Sequence, residues 1–159
     1  WTSPSHSHRG AGLVLAAILV FTAASYGITI AQQSGIQAPD AVTVDGKTYS
    51  LQQGRIFLYF FDPACSHCFD AAKQMSTYTW KDAKVIAIPT TTPQFAAQFL
   101  ADTGLKATVT GDAAKLRQVF KFGDPPYAVA LEHGRQKAAL IHFDAVEPRK
   151  TLQALGWID

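Results

Sequence analysis

Cys65-Ser66-His67-Cys68 is where residue types and spacing point most directly to chemistry, and these are the chain's two cysteines. They directly follow the apolar run Arg55–Phe61 (RIFLYFF) and open a stretch with helical spacing. A helix N-terminus presents unpaired N–H groups and the positive end of the helix dipole, and both stabilise a thiolate. Thiolate is the nucleophile in disulfide exchange, so Cys65, nearer the exposed end, is the expected attacker. Cys68, one turn further in, is the expected resolving thiol that releases a mixed disulfide. His67 lies between them and can add positive charge or a hydrogen bond when Cys65 ionises. Stabilising the reduced form in this way makes the disulfide a stronger oxidant. The alternative is a static disulfide or two incidental buried thiols. A zinc pair would need two more ligands, for which His133 and His142 are the candidates within the domain. Haem attachment requires His directly after Cys68, and Phe69 stands there.

The elements around the motif follow from pattern. Asp45-Gly46 between AVTV and KTYSL is a hairpin signal. Arg55–Phe61 suits a central strand buried on both faces. Helical spacing runs from Ser66 to about Tyr78, with Ala71, Ala72 and Met75 on one face. Lys84–Pro89 reads as a short buried strand. Thr92-Pro93 opens a helix through about Asp102, stopped at Gly104. Leu105–Val109 reads as a strand, and Asp112 as the cap of a short helix carrying Leu116, Val119 and Phe120. Beyond Pro125-Pro126 come a strand at Tyr127–Leu131, a turn at Glu132–Arg135 and a strand at Lys137–Phe143. Pro148 starts a last helix ending near Gly156. The order β–β–β–α–β–α–(β)–α–β–β–α is that of an α/β sandwich with parallel crossovers and a terminal hairpin.

At the level of the whole chain, 159 residues suit one domain plus an appendage. A net charge of +2 without a basic cluster gives nucleic-acid binding no electrostatic footprint. With 48% apolar residues and aromatics spread along most of the chain, global disorder is excluded as well. No Asp, Glu, Lys or Arg occurs between Arg9 and Asp40. Within that gap Ala11–Ala31 spans about 30 Å as a helix, the thickness of a hydrocarbon core. The expected organisation is a cytoplasmic stub 1–10, a transmembrane helix 11–31, a linker 32–39 and a domain 40–159. Arg9 on the near side and Asp40 and Asp45 beyond the span put the N-terminus in the cytoplasm and the domain outside. A cleavable signal peptide ending near Ala31 is the alternative.

A buried aromatic strand, C-x-x-C at a helix start, then a proline-led strand and a Gly turn resemble the thioredoxin superfamily over nearly all of 40–159. The resemblance implies a three-layer α/β/α sandwich with a mixed central sheet. It also implies a thiol–disulfide oxidoreductase that needs no cofactor or metal, with a protein thiol or disulfide as substrate and a separate redox partner. The early hairpin and the segment 103–119 look like the membrane-tethered, extracytoplasmic TlpA-like branch on the periplasmic side. Ser66-His67 is instead similar to disulfide oxidases and isomerases, so the direction of electron flow stays open. The family's cis-proline, which faces the disulfide, matches Pro126 or, as second choice, Pro125. Pro126, Pro125 and Ser66 are the residues the resemblance assigns to substrate contact. This chain departs from the family in three ways. Pro125 has no N–H to offer a substrate strand. Ala64 stands where Trp often precedes the first cysteine. Tyr59 stands where an acid is commonly buried, and Asp62, the nearest acid, has the wrong strand parity to replace it. The departures support a second expectation, an accessory subunit of a larger membrane complex whose domain serves docking.

Overall fold

The computed structural model describes residues 35–159, so the stub 1–10 and the apolar segment 11–31 lie outside the described residues. Among the described residues no helix is long and apolar enough to cross a membrane.

Strands β1 (Ala41–Val44) and β2 (Lys47–Ser50) form an antiparallel hairpin. Its turn residues Asp45 and Gly46 are both left-handed, with φ 50° and 74°, which matches the right-handed twist of the flanking strands. Next come β3 (Arg55–Phe61), helix α1 (Ser66–Met75), β4 (Ala83–Pro89), α2 (Ala96–Thr103), β5 (Thr108–Val109) and α3 (Ala113–Val119). The chain ends in β6 (Tyr127–Glu132), β7 (Arg135–Leu140) and α4 (Arg149–Ala154). Five strands make one sheet in the order β5-β4-β3-β6-β7, with β3, β4 and β5 parallel and β6 and β7 antiparallel.

β3 lies at the centre, and its alternation divides the core. Phe57, Tyr59 and Phe61 join Cys68, Ala71, Ala72 and Met75 of α1, Phe99 of α2 and Leu152 of α4. Ile56, Leu58 and Phe60 join Leu116 of α3 and Val42 and Val44 of the hairpin. Every one of these side chains is buried, so β3 reads as an unbroken apolar run because both its faces are covered. The expected three-layer sandwich with a mixed sheet is present.

Several boundaries differ from expectation. Helix α1 stops at Met75 rather than Tyr78. Pro93–Phe95 is a 3-10 turn, and the α-helix begins only at Ala96. The strand expected at Leu105–Val109 shrinks to Thr108–Val109, because Leu105 is drawn into the core below the left-handed Gly104. Asp112 precedes α3 but does not cap it with its side chain; its carboxylate accepts the Thr43 N–H at 2.7 Å instead, tying α3 to the hairpin. The last strand covers Arg135–Leu140, not Lys137–Phe143. Its partner β6 is preceded by two prolines without N–H groups, so the ladder cannot extend. Residues 35–38 are not free linker. Gly35 N–H donates to Gln136 C=O at 2.7 Å, and Gln136 N–H donates to Ile36 C=O at 2.9 Å, so this stretch lies along the start of β7.

Candidate active site

The register of the sheet decides what meets at its end. Phe61, the last residue of β3, pairs with Pro89, the last of β4, and Phe60 pairs with Tyr127, the first of β6. The Cys65 turn, the loop after Pro89 and the Pro125-Pro126 segment therefore leave from the same end of these strands.

Cys65 is the N-cap of α1 with extended backbone (φ −89°, ψ 117°). Its Sγ accepts the Cys68 N–H at 3.2 Å, and its C=O accepts the Phe69 N–H at 3.0 Å. The sulfur thus takes the place of a Ser or Asp capping oxygen and receives a donor at the positive helix end. Cys65 is half-buried and Cys68 fully buried, and both are free thiols. Burial pushes the Cys68 thiol up to about 12, with a further rise from its hydrogen bond to Cys65, opposed by the Asp62 N–H. The pair is asymmetric: one sulfur is accessible and helix-capped, and the other is held protonated.

Tyr59 is buried beneath the motif, and its hydroxyl donates to the Cys68 C=O at 2.7 Å. Burial first, then the two cysteines, pushes the phenol far above its ordinary value. Tyr59 therefore acts here as a neutral strut under the first turn of α1, not as an acid or base.

His67 is exposed and does not hydrogen-bond to a cysteine. Its Nε2 lies 3.1 Å from the Phe143 C=O. A carbonyl can only accept, so Nε2 carries the proton. The Phe143 ring packs on Tyr59 with centroids 6.0 Å apart. Gln74 adds a second tie, its Nε2 donating to Asp144 C=O at 2.9 Å. His67 thus holds the segment after β7 against α1, a contact that sequence reasoning did not foresee.

The Pro125–Pro126 peptide bond is cis, and so is Glu147–Pro148. Pro125 and Pro126 are half-buried, and Ser66 is exposed at the first position of α1. His133 sits in the β6–β7 turn and His142 is exposed beyond β7. Among the described residues no three His, Cys, Asp or Glu side chains cluster as a metal site.

Asp62 is the residue that sequence reasoning set aside. β3 ends at Phe61, so Asp62 lies in the turn that leads into α1. Its N–H donates to Cys68 Sγ at 3.5 Å, and its C=O accepts the Cys65 N–H at 3.0 Å. Its Oδ1 accepts the Ala64 N–H at 2.9 Å. The available signal was Asp-Pro directly after a strand, a turn-initiating pair.

No family model and no curated protein matches the chain by sequence. Solved structures do. A Neisseria meningitidis protein put forward as a thioredoxin superposes with TM-score 0.60 at 24% identity, over 77% of this chain and 89% of that one. A Chlorobium tepidum protein put forward as the thiol:disulfide interchange protein DsbE gives 0.61 at 17%, over 77% and 96%. A secreted Mycobacterium tuberculosis disulfide oxidoreductase homologous to Escherichia coli DsbE gives 0.55 at 20%, over 72% and 90%. The fold is the thioredoxin fold. Within it, the paired cysteines occupy the start of α1 and the cis bond precedes β6 at the same end of the sheet. Tyr59 and Pro125 occupy the positions where the departures were expected, and the structure gives Tyr59 a mechanical task there.

Proposed function

We propose that the protein is a membrane-tethered thiol–disulfide oxidoreductase acting on cysteine pairs of exported proteins. The observation that carries this is the asymmetry of the pair: an accessible Cys65 capping α1, and a buried Cys68 whose thiol lies up to about 12. Acting as a reductant, the Cys65 thiolate attacks a client disulfide, forms a mixed disulfide and expels one client thiolate. Cys68 then attacks the Cys65 sulfur, the bond from Cys65 to the client breaks, and the second client thiolate leaves. The client gains two electrons and the Cys65–Cys68 pair loses two; the reverse sequence oxidises a client. A redox partner restores the pair. Pro125, Pro126 and Ser66 serve as the client contacts in this reading, and Pro125 offers a client backbone only its carbonyl.

The tether is the segment 11–31, with the N-terminus cytoplasmic and the domain on the periplasmic side, supported by the uncharged run and by Arg9 before it. The secreted mycobacterial neighbour supports the same side.

The test is trapping. Cys68→Ser should accumulate a mixed disulfide with a cysteine-containing client, and Cys65→Ser should not react. Equilibration against glutathione then gives the direction. A potential near about −270 mV marks a reductant and one near about −120 mV an oxidant. A second reading, an accessory subunit of a membrane complex, is favoured by the proline at position 125. It predicts stoichiometric co-purification with an assembly that Cys65→Ser leaves intact, and no trapped species.

A further inference from the structure

Strand β4 begins with a neighbour on one side only. It pairs with β3 from Ala83 to Pro89, but with β5 at Ile86 and Ala87 alone. Thr110 N–H donates to the Ala87 C=O at 3.1 Å, so Ala87 turns its backbone groups toward the β5 side. By the strand period of two, Val85 and Ala83 face that side as well. Because β5 is only two residues long, Ala83–Val85 has no strand there among the described residues. An edge of this kind can take up an extended segment through main-chain hydrogen bonds. Beside it lies an open groove of about 540 Å³ whose lining includes Ala83, Val85, the half-buried Tyr49 and Trp80, and the exposed Lys84 and Lys106. Neither lysine has an ion-pair partner among the described residues, and no carboxylate lines the groove.

We infer that this edge of the sheet docks an extended acidic segment of a partner protein. Its backbone pairs with the open side of β4, its carboxylates meet Lys84 and Lys106, and an apolar side chain packs against Tyr49 and Trp80. Charge complementarity selects this occupant, because two uncompensated cations beside an open strand favour a negatively charged chain. The groove is remote from the thiols. Ala83 pairs with Arg55, the first residue of β3, whereas Cys65 follows the last, about 20 Å along the strand. A partner held there leaves Cys65 uncovered, and the inference does not depend on thiol exchange. Lysines on an edge strand can also serve only to keep other strands away. Charge of either sign does that, whereas docking an acidic segment needs positive charge.

The test follows backbone amide shifts of the full chain in detergent micelles as a capped synthetic peptide of alternating glutamate and valine is added. Shifts should saturate at Ala83, Val85 and Thr108, with those of Cys65 and Cys68 unmoved. The double variant Lys84→Glu/Lys106→Glu should bind about 10-fold more weakly, and so should the unaltered chain when lysine replaces glutamate in the peptide. A peptide N-methylated at alternate residues, made in both frames, keeps its side chains and loses backbone donors. In the frame that removes the pairing donors, binding should again fall about 10-fold. The peptide variants pose the question on the unaltered chain, so a folding defect in the double variant cannot mask the answer. The inference is overturned by the absence of a saturable shift at these amides, or by equal binding of the lysine peptide, of both N-methylated peptides or of the charge-reversed chain. Protection of Ala83 and Val85 that rises with protein concentration alone also overturns it, since the edge would then belong to a second copy of this chain.

Discussion

At the scale of single residues, the site depends on polar groups placed where each can make few bonds. Tyr59→Phe removes the donor to the Cys68 carbonyl without changing shape. It should cost about 1 kcal/mol, read as a lowered urea midpoint. Cys68 makes stability depend on pH. Its thiol is raised in the folded chain, so the folded state holds that proton more tightly than the unfolded state does. The contribution is complete below the ordinary thiol value near 9.0 and is lost as pH rises to about 12. The urea midpoint of the reduced protein should therefore fall across that interval, and less steeply in Cys68→Ala. By the same asymmetry, iodoacetamide at pH 8 should label Cys65 and leave Cys68 unmodified until the chain unfolds.

At the scale of elements, turns and ties set the precision of the motif. Gly134 in the β6–β7 turn has φ 75°, and a Cβ there would meet the side-chain amide of Gln52. Gly134→Ala should thus destabilise by about 1–3 kcal/mol, from left-handed strain plus crowding. Gly123→Ala, where a Cβ meets open space, should change the midpoint little. His67 joins α1 to the segment after β7, where the Asp144 carboxylate already accepts the Val146 and Glu147 N–H groups at 2.7 and 2.9 Å. His67→Ala should speed amide hydrogen exchange over residues 143–147. An unchanged exchange pattern with an altered Cys65 alkylation profile would return His67 to the thiolate-tuning role expected from sequence. Asp112 shows the same logic on the other face: a residue whose type suits a local cap is used for a longer tie to Thr43.

At the scale of the whole molecule, the membrane tether is the largest open expectation. The full chain should stay in the membrane fraction after carbonate extraction, and a chain lacking residues 1–31 should not. A band shortened by the leader in wild type would favour cleavage instead. Much of the rest was legible in residue order. The cysteine pair, the alternation of β3 and the apolar spacing of α1 are local periodicities, and the structure keeps them, because burying one face of a strand or helix imposes that period on the residues themselves. Three things were not legible. The backbone contact of Asp62 with Cys68 Sγ arises in the turn after β3, where strand alternation gives no guide. The contact of His67 with the Phe143 carbonyl joins residues 76 apart in the chain. The strand at 105–109 was drawn too long because Leu105 is taken into the core, and that at 137–143 because its partner β6 is preceded by two prolines. By itself, then, the sequence determined which residues are candidates for the chemistry and which elements hold them, since both follow from side-chain type and period. Only the tertiary structure decided which hydrogen-bond partners those residues take, because β pairing across the sheet joins groups whose separation along the chain says nothing of their distance in space.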